Sequence, residues 1–350
     1  MKYLAVLGRQ PELSVAELEA QFLMNTASFA SQYVLFETDS SVQIDRFGGV
    51  KKFAVLLNET PLEYLRNVSD GKITIGVSDY SKKASRKTAT MEGLKLKKIM
   101  ARHGRSVRVV ENKEAVLSTA TSLHNGLSGK NERKVELIKT DDEWYKVIGV
   151  QNIDAYARRD QARPARDAKV GMLPPKLAQV LINLCGPLEL GATILDPFCG
   201  TGVVLQEALL MGYRAYGTDV SERMVDYSDK NLKHFKFSNY KVEVGDATTF
   251  CWEQPISAVA CEGYLGRPMS MVPAEIKLRE EKQKCSVIIL GFLKNLVKQI
   301  AVDTPVVMAV PAWLRPDGIY SRLDILDEIE GMGYNVSSKT REGLLYHRKE

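Results

Sequence analysis

The sequence lacks a long hydrophobic run: no stretch reaches the 18 apolar residues that would predict a membrane-spanning helix. Its first apolar stretch ends at Leu7, which is too short for a signal-peptide core. The five cysteines form no CxxC pair, and the four scattered histidines supply no zinc-ligand spacing. We therefore expect no membrane association, no metal and, given the odd cysteine count, a reducing cytoplasmic location.

Internal repeats and low-complexity tracts are also absent, and the excess of charge is small. The chain carries 48 basic and 43 acidic residues, a net charge of +5. Residues 1–150 hold the whole excess, with 23 basic against 18 acidic residues, and residues 151–350 are balanced. From Lys72 to Arg108, eleven basic residues stand against two acidic ones. This distribution predicts a polyanionic partner bound by the N-terminal part.

Within residues 1–150, strand-like apolar segments alternate with short helical ones, which predicts an α+β region. One helix is predicted over residues 90–103, with its lysines largely on the solvent side. The apolar residues expected on its buried face are Met91, Leu94, Ile99 and Met100.

From residue 192 onward the pattern is strand, helix, strand, helix, which predicts a doubly wound parallel sheet. The predicted strands are residues 192–198, 214–220, 241–244, 257–261, 305–310, 334–339 and 344–347. The expected fold class is therefore α/β for this part, as a seven-stranded, Rossmann-like domain.

A glycine-containing loop, D-P-F-C-G-T-G at residues 196–202, lies where the first of these strands meets its helix. It matches neither common phosphate-binding motif, and it begins with a carboxylate, Asp196, which would be unfavourable beside the phosphates of NAD. Asp219 and Asp246 end the next two strands. Each carboxylate alone is also compatible with a simple strand-end cap. Together they predict one site for a cationic, ribose-containing ligand such as S-adenosylmethionine.

The loop, together with G-T-D at 217–219 and G-D-A at 245–247, resembles the THUMP-domain class I RNA methyltransferases. In particular, it is similar to the tRNA guanosine N2-methyltransferases that act near the start of the D arm. The resemblance covers nearly the whole chain. It implies an N-terminal ferredoxin-like domain (1–60), a THUMP-like RNA-binding domain (61–150), a linker (151–175) and a methyltransferase domain (176–350).

The resemblance further implies S-adenosylmethionine as cofactor and tRNA as partner, and it allows for a small activator subunit. The loop and the strand ends supply most of the residues expected at the cofactor, and the segment entering the methyltransferase domain supplies one more. The expected cofactor-binding residues are Lys176, Asp196, Phe198, Gly200, Gly202, Asp219 and Asp246.

One motif departs from the pattern of this family. The amine-methylating members of the family carry Asp/Asn-Pro-Pro-Tyr/Phe after the fourth strand. There an acidic or amide side chain and a backbone carbonyl accept hydrogen bonds from the two N–H groups of the amine. Here the sequence is Glu262-Gly263-Tyr264-Leu265, with the acid one methylene longer and the aromatic one residue earlier. Glu262 and the backbone of Gly263 are predicted to orient the amine, although Glu262 is also compatible with a simple strand-end cap. Tyr264 is predicted either to stack on an extruded base or to pack in the core.

The basic segment overlaps the THUMP-like region, although a charged run is also compatible with an ordinary solvated helix face. Lysines and arginines of this kind make phosphate contacts that do not depend on sequence. The predicted RNA-binding residues are Lys82, Lys83, Arg86, Lys87, Lys95, Lys98 and Arg102.

The first hypothesis is an S-adenosylmethionine-dependent tRNA methyltransferase that modifies the exocyclic N2 amine of a guanosine. The alternative is a catalytically silent tRNA-binding protein or partner subunit that retains the cofactor fold. A third, amino-methylation of DNA or protein, accounts poorly for the THUMP-like half. The Glu-Gly-Tyr-Leu motif is the feature that discriminates between the first two.

Overall fold

The chain forms two compact units, Met1–Tyr156 and Ala157–Glu350. The computed structural model describes residues 1–24, 32–167, 172–266 and 275–337. Within these ranges no helix combines the length and hydrophobicity needed to cross a bilayer.

The first unit is built on one mixed sheet of seven strands. Its strands are β1 (Lys2–Leu7), β2 (Tyr33–Glu37), β3 (Val50–Leu56), β4 (Ile73–Asp79), β5 (Val107–Val109), β6 (Lys134–Lys139) and β7 (Trp144–Val150). They pair in the order β2-β1-β3-β7-β6-β4-β5, with β4 parallel to both of its neighbours and the other pairs antiparallel. All seven residues of β4 are buried, as expected for a strand with neighbours on both sides.

Among the described residues, four α-helices and a short 3-10 helix (Ile44–Arg46) accompany this sheet, and a fifth α-helix spans the sequence boundary between the units. The α-helices are α1 (Pro11–Phe22), α2 (Pro61–Asn67), α3 (Arg86–Arg102), α4 (Thr119–His124) and α5 (Ile153–Gln161). Helix α3 begins at a capping box in which Ser85 and Thr88 satisfy each other's backbone N–H groups. The helix therefore starts earlier than predicted, and Arg86 and Lys87 lie in its first turn rather than in a loop.

The buried face of α3 also differs from the prediction. It consists of Ala89, Gly93, Leu96 and Met100, whereas the side chains predicted to be buried at positions 91 and 94 are more than half exposed. A Cβ on Gly93 would lie 2.8 Å from Cγ1 of Val109, so the helix packs closely on the sheet through its small residues. Close packing through small residues, rather than side-chain size, selects the buried face.

The sheet of the first unit runs without interruption through the boundary predicted at residue 60, because β3 pairs with β7. A buried ion pair crosses the same boundary: Nζ of Lys52 on β3 lies 2.6 Å from Oε1 of Glu136 on β6. Lys52 also donates to the carbonyl of Leu117, and the hydroxyls of Ser78 and Ser122 donate to the Glu136 carboxylate. The assignment of 1–60 and 61–150 to two named domain types stays a prediction.

The second unit contains a parallel sheet in the order β10-β9-β8-β11-β12 and a separate hairpin, β13-β14. Its strands are β8 (Thr193–Asp196), β9 (Arg214–Asp219), β10 (Tyr240–Val244), β11 (Ala258–Glu262), β12 (Val306–Ala309), β13 (Trp313–Leu314) and β14 (Tyr320–Ser321). Its helices are α6 (Pro175–Leu184), α7 (Val203–Leu210), α8 (Glu222–His234), α9 (Glu275–Leu296) and α10 (Leu326–Gly331).

Both faces of the parallel sheet are covered, and successive residues of a strand enter different cores. In β8, Ile194 packs with residues of α6, α7 and α8, whereas Leu195 packs with residues of α9. This alternation with helices on both faces is the doubly wound arrangement that the sequence predicts.

Two predictions for this part need correction within the described residues. The first five of the seven predicted strands form the parallel sheet, whereas residues 334–337, predicted to begin the final strand pair, contain no strand. The remainder of that predicted pair, residues 338–350, lies outside the described residues. The predicted linker 151–175 contains α5, so it is not an extended connection throughout.

Candidate functional site

Three acidic side chains lie at the carboxyl edge of the parallel sheet. Asp196, Asp219 and Glu262 are the last residues of β8, β9 and β11, and β8 lies between the other two strands. Carboxyl ends of parallel strands meet at one edge, where ligands bind in doubly wound sheets. The fold thus brings together two of the predicted cofactor residues and the predicted catalytic acid.

The carboxyl group of Asp196 is the most deeply buried of the three, with only 2% of the residue exposed. Burial raises its pKa well above the usual range, and the negative charges of Asp219 and Glu262 raise it further. An accepted hydrogen bond from the backbone N–H of Phe198, at 3.1 Å, acts in the opposite direction. The site is therefore electronegative and favours a cationic group.

The carboxylate of Asp219 accepts hydrogen bonds from the glycine loop and from the residue that precedes α8. Its Oδ2 accepts the N–H of Gly200 at 3.0 Å, and its Oδ1 accepts the N–H of Ser221 at 2.9 Å. Burial raises the pKa of Asp219, and these two hydrogen bonds lower it. The next residue, Val220, is 73% exposed, so the residue after this carboxylate has a solvent-accessible apolar side chain.

The loop between β8 and α7 takes a conformation that requires glycine at two positions. Gly200 has φ of 50° and Gly202 has φ of 82°, both in the left-handed region. Gly202 is the N-cap of α7, and a Cβ at that position would lie 2.8 Å from Oγ of Ser228. The backbone N–H of Thr201 has no hydrogen-bond partner among the described residues.

The thiol of Cys199, in the same loop, is buried, and burial raises its pKa well above the usual range. A neutral, enclosed thiol is a packing residue rather than a nucleophile.

Two other residues predicted at the cofactor have partners that the sequence did not indicate. The ring of Phe198 makes an edge-on contact with Phe292 at 5.3 Å between ring centres, on the face that α9 covers. Asp246 is exposed two residues after β10, and hydrogen bonds from the hydroxyl and N–H of Thr248 lower its pKa. Lys176 is half-buried in the first turn of α6.

The predicted catalytic motif follows β11 directly. Gly263 is buried, and its N–H donates to the carbonyl of Ala309 on the neighbouring strand at 2.9 Å. A Cβ on Gly263 would lie 3.0 Å from Sδ of Met308 and 3.2 Å from the Ala309 carbonyl oxygen. Glycine thus permits a close approach to β12, while Tyr264 is half-buried and packs against the α9-side core.

The predicted RNA-binding residues are all exposed and lie on the first unit. Lys82 and Lys83 lie in the turn before α3, and the others lie on α3 itself. Only Arg86, among the seven, has an ion-pair partner in the described residues: it lies 3.2 Å from Glu111. Lys87, Lys95, Lys98 and Arg102 occupy the face opposite the buried one, where the exposed Met91 and Leu94 also lie.

The polar side chains that support the loop from behind are not among the residues predicted from the sequence. Ser228 and Asn231 on α8 are almost completely buried and donate to the carbonyls of Gly200 and Thr201, both at 2.9 Å. Arg163 is also buried, and its Nη1 lies 3.4 Å from the hydroxyl of Thr201. The one sequence feature that could have indicated this role is the spacing of Ser228 and Asn231, which are three residues apart and therefore share a helix face.

A cavity of about 740 Å³ lies at the opposite edge of the same sheet. It is lined by residues at the amino ends of the strands, including Thr193, Arg214 and Ser257. It contains none of the predicted site residues, so it is distinct from the carboxylate site. No group of histidines, cysteines and carboxylates suited to a metal ion occurs in the described part of the chain.

Comparisons with known proteins place the chain among methyltransferases. Residues 188–312 match a family model described as a methyltransferase domain, and residues 44–230, more than half of the chain, match one described as a DNA methylase. A tRNA (guanine(10)-N2)-dimethyltransferase of Methanothermobacter thermautotrophicus is 32% identical over 157 residues, which is 44% of each chain. One of the same name from Pyrococcus abyssi is 46% identical over 76 residues, 22% of each chain.

The alignments therefore span less than half of the length of these curated relatives. Among solved structures, TrmN of Thermus thermophilus is 18% identical, with a TM-score of 0.41 over 86% of each chain. The family models confirm the predicted membership of a methyltransferase family, and the five-stranded parallel sheet with helices on both faces confirms the predicted doubly wound fold class; the THUMP-like identity of residues 61–150 stays a prediction. The chain belongs to the methyltransferase family, and the relatives that it resembles in sequence include tRNA (guanine(10)-N2)-dimethyltransferases.

Proposed function

We propose that the protein transfers a methyl group from S-adenosylmethionine to the exocyclic N2 amine of a guanosine in tRNA. The observation that carries this proposal is the set of three carboxylates, Asp196, Asp219 and Glu262, at adjoining strand ends beside the glycine loop. Its similarity to curated tRNA (guanine(10)-N2)-dimethyltransferases supports the choice of acceptor.

The residues on the loop side fit the cofactor by charge and by shape. Buried Asp196 suits the ammonium group, and the open N–H of Thr201, next to the start of α7, suits the carboxylate. Asp219 retains lone pairs for ribose hydroxyls, and exposed Val220 offers an apolar surface for adenine. Asp246, beyond the next strand, suits the adenine amine. S-adenosylmethionine supplies an electrophilic methyl group on a sulfonium.

On the acceptor side, Glu262 and the backbone of Gly263 orient the guanine amine. As the nitrogen gains the methyl group, the sulfonium becomes a thioether, and the Glu262 carboxylate accepts the proton that the amine loses. A carboxylate that accepts an N–H bond raises the electron density on an otherwise poorly nucleophilic nitrogen. Gly263 is held by its hydrogen bond to Ala309, so the backbone that follows Glu262 has a fixed start. Tyr264, half-buried against the core, presents a ring on which an extruded base stacks.

The first unit binds the tRNA through phosphate contacts. The basic residues of α3 and of the turn before it are exposed, and side chains of this kind contact phosphates, which positions the RNA rather than selecting a sequence. Such binding is strongly weakened by salt. The THUMP-like identity of this region, the tRNA partner, an activator subunit and the cytoplasmic location belong to this proposal.

The deciding experiment offers the purified protein undermethylated tRNA and labelled S-adenosylmethionine, and identifies the modified nucleosides by mass spectrometry. N2-methylguanosine is the expected product. A parallel reaction with duplex and single-stranded DNA tests the acceptor class suggested by the DNA methylase match. Label in DNA and none in tRNA would overturn the assignment of the acceptor.

A catalytically silent tRNA-binding protein is the second candidate, and the Glu-Gly-Tyr-Leu sequence favours it. The longer acid displaces the carboxylate relative to the usual aspartate, and displacement of about 1 Å can lower a rate on the order of a hundredfold. This candidate predicts binding of both tRNA and S-adenosylmethionine with no labelled product.

A further inference from the structure

Two polar side chains of α8 hold consecutive carbonyl groups of the glycine loop. The hydroxyl of Ser228 donates to the carbonyl of Gly200, and Nδ2 of Asn231 donates to the carbonyl of Thr201, each at 2.9 Å. The two residues are three apart and therefore lie on the same face of the helix. Their exposed fractions are 0% and 1%, so the contacts are shielded from water.

These contacts determine where the N–H groups of the loop point. In a trans peptide, the N–H points away from the C=O of the same unit. The Gly200 carbonyl shares its peptide unit with the N–H of Thr201, so holding the oxygen against α8 turns that N–H to the opposite side. The neighbouring N–H groups are already used: Gly200 donates to Asp219 and Gly202 to the carbonyl of Cys199.

Asn231 also joins the loop to the segment that precedes the methyltransferase sheet. Its Oδ1 accepts the N–H of Ala165 at 3.0 Å, and its Nδ2 donates to the carbonyl of Ala165 at 2.9 Å. Both amide hydrogens are therefore used, one on each segment. Buried Arg163, two residues before Ala165, approaches the Thr201 hydroxyl from the same segment.

We propose that Ser228 and Asn231 are positioning residues for the cofactor loop, which fix its carbonyls against α8 and thereby aim the Thr201 N–H at the cofactor carboxylate. This inference rests on the cofactor half of the proposed function. Ser228 and Asn231 are too deeply buried to contact the cofactor themselves, so α8 influences cofactor affinity through the loop.

The test measures the affinity for S-adenosylhomocysteine by calorimetry in Ser228→Ala, Asn231→Ala and the double variant. The matched control is Lys230→Ala, next to Asn231, whose side chain is exposed and pairs only locally with Asp226. We expect Ser228→Ala to weaken binding roughly two- to tenfold, the range for loss of one hydrogen bond. Asn231→Ala should weaken it at least as much, because it removes three hydrogen bonds. The double variant should differ from the product of the single effects, because the two carbonyls belong to consecutive residues.

Two further readouts separate positioning from general stability. In the wild type, the Thr201 amide should shift in ¹⁵N NMR spectra on binding S-adenosylhomocysteine, and Ser228→Ala should reduce that shift. In methylation assays, KM for the cofactor should rise with kcat changed less than about twofold, since the acceptor groups are untouched.

Folded variants that bind S-adenosylhomocysteine as tightly as the wild type would overturn the positioning role and leave the proposed function intact. A wild-type protein that binds no S-adenosylhomocysteine would overturn both. If Asn231→Ala does not fold, Ser228→Ala still decides the matter, because it removes a single oxygen atom.

Discussion

Asp196 and Glu262 end adjacent parallel strands, and the charge of Glu262 contributes to raising the pKa of Asp196. One of these carboxylates lies under the proposed cofactor loop, and the other begins the proposed acceptor motif. The two halves of the proposed reaction are therefore electrostatically coupled across one pair of strands. A cation between them would relieve their repulsion.

The first prediction concerns pH. Because burial and neighbouring charges raise the pKa of Asp196, its neutral form is favoured in the folded chain without cofactor. Stability from this group is present at low pH and lost as pH rises from the ordinary carboxyl pKa through the raised one. The ammonium group of bound S-adenosylhomocysteine favours the ionised form of Asp196. The stabilisation that this ligand gives should therefore increase as the pH rises through the same range.

Thermal unfolding with and without S-adenosylhomocysteine, from acid to neutral pH, measures this effect. Asp196→Asn should flatten both trends, because it removes the titrating group. A pH dependence that persists unchanged in this variant would assign the titration to another group.

The second prediction concerns Glu262. Loss of its charge in Glu262→Gln should lower kcat for tRNA about a hundredfold or more, the usual contribution of a proton-accepting side chain. The affinity for S-adenosylhomocysteine should change little in comparison. Glu253→Gln is the control, since that carboxylate is exposed and pairs with Lys241 away from the motif. Equal losses of rate and cofactor affinity would move Glu262 from catalysis to the architecture of the site.

The third prediction concerns the outward face of α3. Replacing Lys87, Lys95 and Lys98 by glutamate should weaken tRNA binding at low salt and reduce the slope of log affinity against log salt by roughly two to three. Filter binding over a salt series measures this slope. Cofactor affinity should not change, and Lys298→Glu, a similarly exposed lysine on the second unit, should leave tRNA binding nearly unaffected. An unchanged slope would make this face an ordinary solvated surface.

The fourth prediction compares the two loop glycines. Alanine at either position meets the left-handed conformation, at a cost of about 1–2 kcal/mol. At Gly202 the new Cβ also meets Oγ of Ser228 at 2.8 Å, whereas at Gly200 the nearest atom is 3.9 Å away. Gly202→Ala should therefore lose more unfolding free energy in urea, and more affinity for S-adenosylhomocysteine, than Gly200→Ala. Equal losses would show that the contact with α8 relaxes easily.

Local patterns predicted the second unit well where a strand is followed by its own helix and ends with an acidic residue, as is the case for β8, β9 and β11. The loop at 196–202 and the carboxylates at 219 and 262 needed only this alternation. Pairing between distant strands leaves no such local sign: residues of β3 pair with residues of β7 that lie 89 to 98 positions later, so the continuity of the first sheet was not predictable.

The burial of small residues was also not predictable from the sequence. Apolar size pointed to Met91 as a buried residue of α3, whereas close packing selects Gly93. The supports of the cofactor loop were missed because Ser228 and Asn231 are polar and a polar helix position is ordinarily exposed. Their role depends on which carbonyls lie opposite them, and that is a property of the folded loop.

The uninterrupted sheet of the first unit limits how the chain can be divided. A fragment cut near residue 60 would separate β3 from β7 and leave both with unpaired hydrogen-bonding edges, which promote association between chains. The same cut would leave Glu136 buried without Lys52. We therefore expect residues 1–150 to fold as one unit, so that the proposed RNA-binding surface on α3 depends on the presence of the N-terminal strands.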